Sequence, residues 1–173
     1  MISFLVLLLL TNVAGCAGRP SNRVQVNSRQ PIPADTLITL ERIGGFGTGR
    51  IYKVTISADG RAVYEMSRKT PGRFEAQLTQ NQVSELIAAF NDAPYFSLND
   101  SYAGIRDGCP ANWTDAPYAT TSLRLNGKSK TILHYYGCRD LDLPGKSGGV
   151  WPPDLFQLEK RIDEIAGTDK WIK

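Results

Sequence analysis

The only histidine of the chain, His134, is the first residue to consider for catalysis. A histidine that acts as a general base needs a positioned nucleophile and an acid that orients its ring. Asp140 and Asp142 follow closely in the sequence, but no G-x-S-x-G or comparable nucleophile motif is present. We therefore predict no catalytic residue and expect His134 to be a structural or surface histidine.

Three other patterns resemble part of a ligand-binding motif, but each lacks residues that the motif requires. Residues 44–51 carry the two glycines of a phosphate-binding loop but lack its Lys and Ser/Thr, and a strand follows where that motif needs a helix. Residues 140–145 begin like a calcium loop, but the fifth position is proline and the twelfth is not glutamate. Cys109, Cys138 and His134 are too few ligands for zinc, and no C-x-x-C is present. The sequence implies no metal and no cofactor.

The N-terminal segment predicts export and a lipid anchor. Residues 2–10 read I-S-F-L-V-L-L-L-L, which is too short for a spanning helix of about 20 residues and suits a signal peptide. The following Val-Ala-Gly-Cys-Ala, which contains Cys16, resembles the lipobox of bacterial lipoproteins. The resemblance implies cleavage before Cys16, lipid on its thiol and acylation of the new amine. Ala17, where some lipoproteins have Asp, favours sorting to the outer membrane. The alternative is a secreted protein in which Cys16 is coincidental.

Assigning Cys16 to lipid leaves an even pair, Cys109 and Cys138. In an oxidising compartment such a pair favours a disulfide. The bridge would close a loop of about 30 residues and stabilise the fold by roughly 3–4 kcal/mol. The alternative makes one of the two cysteines a nucleophile that works with His134.

Composition and charge limit the partners. The chain has 20 Lys+Arg against 17 Asp+Glu, a net charge of +3, and 42% hydrophobic residues. It has no basic tract, so we expect no nucleic-acid partner. We predict a signal peptide over 1–15, the lipidated Cys16 with a flexible tether over 16–35, and a single domain over 36–173.

Alternating apolar and polar residues predict the strands that would position a functional site. They are predicted over 36–43, 50–57, a segment containing Ala62 and Tyr64, 72–78, 120–125 and 131–136. A three-residue loop with Gly60 in the left-handed conformation would pair Val54 with Tyr64 and keep one apolar face continuous. Asn126-Gly127 predicts a second hairpin.

Two amphipathic helices complete the domain. Thr79 and Gln82 form a capping box before the first helix, which ends at Pro94. The second begins near Pro153 and stops at Gly167. Their predicted buried residues are Val83, Leu86, Ile87 and Phe90 in the first helix, and Leu155, Leu158, Ile162 and Ile165 in the second. The order predicts an α+β fold, with an antiparallel sheet of about five to six strands packed against two helices.

The long connection over 99–117 is the best candidate for a binding surface. It contains Tyr102, Arg106 and Trp113, and the disulfide would hold it against the segment that carries Arg139. We predict these four residues as a possible binding surface. The alternative is that the disulfide only fixes a loop while Trp113 covers the edge of the core.

Two stretches resemble an uncharacterised bacterial envelope domain. Residues 46–54 are similar to its F-G-x-C-P-x-Y-x-V start, and residues 166–172 match its A-G-T-x-x-W-[IV] end. The resemblance implies a fold and an envelope setting, with no known activity. Gly45 and Gly49 replace a cysteine pair of that family, and Arg50 replaces its proline, so a redox role of the pair is not expected here.

The leading interpretation is a non-enzymatic module, anchored by lipid in the bacterial envelope, that binds an envelope protein or a cell-wall component. The alternatives are an envelope hydrolase and an inhibitor of a lytic enzyme. A hydrolase needs a cleft with converging carboxylates or an accessible His134, whereas a binding module needs an exposed aromatic patch.

Overall fold

Most strands of the molecule arise where apolar and polar residues alternate. The computed structural model describes residues 31–44, 51–66, 71–145 and 148–171. The strands of these residues, in chain order, are β1 (Leu37–Ile43), β2 (Tyr52–Ser57), β3 (Arg61–Met66), β4 (Gly72–Gln77), β5 (Ser101–Tyr102), β6 (Ala111–Asn112), β7 (Tyr118–Leu125), β8 (Lys128–Tyr135), β9 (Cys138–Asp140) and β10 (Gly149–Val150). The helices are α1 (Gln80–Asp92) and α2 (Pro153–Ala166).

The α+β class is confirmed, but the sheet is larger than predicted. Seven strands form one open sheet in the order β4-β3-β2-β1-β7-β8-β5. All neighbours in it are antiparallel except β5, which runs parallel to β8. A second sheet has the order β10-β9-β6. The strands that the sequence did not reveal, β5, β6, β9 and β10, have two or three residues each, which is too short for alternation to be visible.

The register of the β2–β3 hairpin is the predicted one. Val54 pairs with Tyr64, and Tyr52 pairs with Met66. Gly60 has φ +87°, and a Cβ at this position would lie 2.3 Å from the carbonyl oxygen of Leu78. Glycine is therefore required here by its conformation and by the lack of space.

Both helices start and stop at the predicted signals. The Thr79 side chain accepts a hydrogen bond from the amide of Gln82, and the Gln82 side chain accepts one from the amide of Thr79. Gly167 ends α2 in the left-handed conformation, with φ 66°. The helices pack on one face of the large sheet, where Ile38 and Leu40 are fully buried in a core shared with the helices.

The opposite face of the large sheet is polar and partly exposed. Thr39, Thr55 and Ser122 lie there next to one another on β1, β2 and β7. Within the described ranges, no helix has the length and apolar character needed to cross a membrane. Cys16 and the glycine-rich residues 45–50 lie outside the described residues, so the predictions made for them are not tested.

Candidate functional site

A disulfide fastens the long connection to the small sheet. Cys109 and Cys138 are joined, with their Cα atoms 5.2 Å apart. Both are buried, with Cys138 fully enclosed. Next to the bridge, Ala111 pairs with Arg139, and the amide of Trp113 donates a hydrogen bond to the carbonyl oxygen of Gly137 at 2.8 Å. The segment before β7 is therefore held along β9.

The structure separates the four residues predicted as a binding surface. Tyr102 is only 6% exposed, and its hydroxyl accepts a hydrogen bond from the amide of Asn99. Its ring packs edge-on against His134, so Tyr102 is a core residue and the prediction that it forms part of a surface is wrong. The surface prediction failed there because β5, which carries Tyr102, pairs with β8 at the edge of the large sheet.

The other three predicted residues remain accessible. Arg106 is exposed on a 3₁₀ turn, and its side chain has no ion pair or hydrogen bond with any described residue. Trp113 is 48% exposed. Arg139 is half-buried, and its Nη1 donates a hydrogen bond to the carbonyl oxygen of Gly148 at 3.3 Å. Arg139 and Trp113 therefore belong to the region that the disulfide fastens.

Arg139 lines a pocket of about 560 Å³ between the small sheet and α2. The register places Arg139 opposite Val150 on β10, so both side chains project from the same face of the small sheet. The remaining walls are the prolines, glycines and aromatic rings of neighbouring segments, Pro117, Pro144, Gly145, Gly148, Gly149, Tyr136 and Phe156. We call this open depression the Arg139 pocket.

Two aromatic rings shape the wall of the Arg139 pocket that faces α2. The rings of Tyr136 and Phe156 meet edge to face, with centroids 5.2 Å apart. The ammonium group of Lys160 lies 5.9 Å from the centroid of Phe156, on α2 beside the pocket. Sequence reasoning missed both rings because they come from segments 20 residues apart and neither stands in a motif.

Tyr136 also connects the pocket to a buried polar cluster. Its hydroxyl accepts a hydrogen bond from Nη1 of Arg42 and donates one to Glu159 at 2.6 Å. Thr121 donates a second hydrogen bond to Glu159 at 3.2 Å. Both carboxylate oxygens lie 3.0 Å from Nδ1 of His134. We call Arg42, Thr121, His134, Tyr136 and Glu159 the buried cluster.

The hydrogen bonds define the charges within the buried cluster. The other ring nitrogen of His134, Nε2, lies 3.1 Å from the carbonyl oxygen of Trp151, which can only accept, so Nε2 carries a proton. Arg42 has no acceptor group, so the hydroxyl proton of Tyr136 must point to Glu159. Each oxygen of Glu159 thus receives a hydroxyl proton, which favours a carboxylate facing a doubly protonated His134. Both side chains are 0% exposed, so the pair is fully buried, and it is an ion pair when His134 is protonated.

A second ion pair neutralises Arg42. Its Nε and Nη2 atoms lie 2.8 and 2.7 Å from one oxygen of Asp163. The other oxygen accepts hydrogen bonds from Tyr52 and Thr168. Burial has the largest single effect on the pKa of Arg42 and lowers it, but attraction to Asp163, Tyr52 and Glu159 and the hydrogen bond to Asp163 together outweigh burial, so the net pKa is raised. Burial, followed by the negative charge of Asp163, raises the pKa of Tyr52.

The internal pairing leaves one unpaired charge in the wall of the Arg139 pocket. Among the described residues, no carboxylate lies within 4 Å of a nitrogen of Arg139. The same residues contain no cluster of three or more His, Cys, Asp or Glu side chains that could hold a metal ion. His134 has both ring nitrogens engaged, and Glu159 and Asp163 each have several donors. The arrangement presents a cation and apolar walls to a ligand.

A second depression lies between α1 and α2, with a volume of about 580 Å³. Four carboxylates, Glu85, Asp92, Asp154 and Glu164, and two cations, Lys160 and Arg161, line it. Arg161 contacts Glu85 at 3.2 Å and Glu164 at 3.1 Å. Its lining therefore carries charges of both signs, whereas the described lining of the Arg139 pocket carries a single cation.

Comparison with known proteins identifies the family. No curated protein matches the chain in sequence. Residues 36–166, which span every strand and both helices described above, match the family DUF6438, a domain of unknown function. The chain therefore belongs to the DUF6438 family.

Proposed function

We propose that the protein is a lipid-anchored module of the bacterial cell envelope that binds another envelope component in the Arg139 pocket. One observation carries the proposal: a half-buried arginine, to which the described residues give no carboxylate partner, lines a pocket whose strands a disulfide fastens. Binding sites combine apolar walls with a few placed polar groups, and this pocket has that composition. The anchor is supported by the resemblance of the segment around Cys16 to a lipobox.

The same geometry favours binding over hydrolysis. Glu159, which is hydrogen-bonded to the pocket residue Tyr136, and Asp163, which pairs with Arg42, both point into internal pairs. His134 is fully buried, and its two ring nitrogens are engaged by Glu159 and by the carbonyl oxygen of Trp151, so neither is available to accept a proton from a nucleophile. A hydrolase would need at least one of these groups to face the cavity.

The location follows from the proposed anchor. A lipidated Cys16 would hold the domain at a membrane surface, and Ala17 after it favours the outer membrane with the domain in the periplasm. The Cys109–Cys138 disulfide is consistent with this setting, because disulfides persist in the periplasm. Substituting Cys16→Ser should move the full-length protein from the membrane fraction to the soluble fraction. Retention of the variant in the membrane fraction would contradict the anchor.

Site-specific photo-crosslinking in intact cells tests the binding function. A photo-reactive phenylalanine replaces Trp113, which is 48% exposed beside β9. A matched control carries it in place of the exposed Lys53, on the open face of β2. We expect a recurrent protein or cell-wall adduct from position 113 only, and its loss when Arg139→Gln is added. The same background adducts from both positions, unchanged by Arg139→Gln, would refute the proposal.

A further inference from the structure

We infer that the Arg139 pocket binds the free carboxylate of a peptide chain end whose last residues are apolar. The inference rests on the proposed function, because it names the chemistry of the ligand in that same pocket. Three features support it: the charge of Arg139, which no described carboxylate pairs, the apolar walls, and the close approach of Gly148 to the disulfide-linked strand β9.

Charge complementarity indicates an anion. Among the described residues that line the pocket, Arg139 is the only charged one. Its guanidinium has five N–H donors, and a single hydrogen bond, to the Gly148 carbonyl oxygen, is formed within the described residues. Asp140, the next residue of β9, accepts a hydrogen bond from the amide of Asp142, and alternation along the strand directs it to the other face. The remaining donors of Arg139 are available to a ligand.

The shape of the donor favours a carboxylate over a larger anion. A guanidinium is a planar fork that matches the two oxygens of a carboxylate. One cationic side chain balances a single negative charge, whereas a phosphate carries nearly two at neutral pH. Among the described residues, the other nearby cation, Lys160, lies beside Phe156 but does not line the pocket.

The other walls suit an apolar peptide end. Pro117, Pro144 and Val150 contribute aliphatic surface, and the rings of Tyr136 and Phe156 form one side. A volume of about 560 Å³ lies in the range of small-ligand sites and can hold the last two or three residues of a peptide. Burying their side chains against these walls would add to the attraction of the carboxylate.

The pocket is formed before a ligand arrives. Gly148 has φ +69°, and a Cβ there would lie 2.3 Å from the carbonyl oxygen of Asp140, so this loop approaches β9 closely. On the other side of β9, the Cys109–Cys138 disulfide fixes the strand to the long connection. A site whose walls are already ordered loses less entropy on binding.

Binding of short peptides by the disulfide-intact protein, followed by NMR and calorimetry, tests the inference. The probes are N-acetyl-alanyl-alanine, the same peptide with a C-terminal amide, and inorganic phosphate. We expect the free acid to bind at least about tenfold more tightly than the amide, because a charge-assisted hydrogen-bonded pair is lost. Amide signals of Gly148, Gly149 and Val150 should shift with the acid. Phosphate should bind more weakly than the acid.

Variants of Arg139 test whether its guanidinium binds the carboxylate of the peptide. Arg139→Gln should weaken binding of the acid by about tenfold or more and leave the weak binding of the amide unchanged. Arg139→Lys keeps the charge and should recover part of the affinity. Arg73→Gln, on the exposed edge strand β4, is the matched control and should bind as the wild type does. Thermal unfolding of each variant confirms that it is folded.

The outcomes separate this inference from the proposed function. Equal binding of acid and amide, tighter binding of phosphate, or unchanged binding by Arg139→Gln would each overturn the carboxylate inference. If neither peptide binds but the photo-crosslinked adduct at position 113 depends on Arg139, the carboxylate inference fails while the proposed function stands. If the adduct is also independent of Arg139, both fail.

Discussion

Replacing Glu159 by glutamine should strongly destabilise the fold while hardly changing the shape of the side chain. The carboxylate lies 3.0 Å from Nδ1 of His134 and accepts hydrogen bonds from Thr121 and Tyr136. The amide of glutamine has one oxygen, so it cannot accept from all three groups. The buried imidazolium of His134 would also lose its counter-charge.

The size of the effect follows from the burial of both partners. Glu159 and His134 are 0% exposed, and removing one partner of a buried ion pair costs about 3–5 kcal/mol. Leaving a buried hydrogen-bonding group without a partner costs about 1–3 kcal/mol, and these contributions overlap. We therefore expect Glu159→Gln to lower the free energy of unfolding by about 3–5 kcal/mol. For a domain of this size, Tm should fall by roughly 10–20 °C.

The assay is urea unfolding of Glu159→Gln beside a matched control, Glu164→Gln. Glu164 is on the same helix and pairs with Arg161 at 3.1 Å, but both side chains are about half exposed. An exposed pair contributes at most about 1 kcal/mol. If Glu159→Gln were no more destabilising than Glu164→Gln, the pair with His134 would be uncharged, and the assignment of protons from the surrounding donors would be wrong.

Three further changes test other parts of the fold. Reducing or replacing the Cys109–Cys138 bridge, which spans 29 positions, should lower the free energy of unfolding by about 3–4 kcal/mol. Denaturation with and without reductant measures this loss, and an unchanged denaturation midpoint would contradict the prediction. The raised pKa of Tyr52 means that the folded state keeps its phenolic proton when the unfolded state loses it near pH 10, so stability should fall as the pH rises above about 10. Tyr52→Phe should reduce that slope by about 1.4 kcal/mol per pH unit, and equal slopes would show that Tyr52 does not contribute. Gly60→Ala should lower the free energy of unfolding by more than about 2 kcal/mol. Gly127 also has a positive φ but has open space around it, so Gly127→Ala should lower it by only about 1–2 kcal/mol. Similar losses in the two variants would exclude the steric clash at Gly60 as the cause.

Features set by neighbouring residues could be predicted from the sequence. The register of the β2–β3 hairpin followed from alternation on both sides of Gly60, because a shift of one residue would have turned the apolar face outward. The capping box at Thr79 and the stop at Gly167 are likewise determined by a few adjacent positions. The disulfide followed from counting cysteines once Cys16 had been assigned to lipid.

Features that join distant segments could not be predicted. Arg42 and Asp163 are 121 positions apart, and Glu159 meets His134 across the interface of α2 with the sheet. A signal was nonetheless present. Glu159 lies four residues after the buried Leu155, on the apolar side of α2, where an unpaired carboxylate would be unstable. A charged residue on an apolar helix face therefore indicated a buried partner, although not which one.

The buried cluster and the Arg139 pocket meet at Tyr136, and this shared residue explains why the two have different roles. The hydroxyl of Tyr136 is held between Arg42 and Glu159, so its ring is fixed where it lines the pocket. The cluster can fix the ring because its own charges are satisfied internally, and for the same reason it presents no reactive group to a ligand. Arg139 differs because the described residues give it no carboxylate, so its charge is the one in the pocket wall that a ligand can still neutralise. In a preorganised binding site, a buried network holds the wall in place and a separate group in the wall contacts the ligand. Here the buried cluster has the first role and Arg139 has the second.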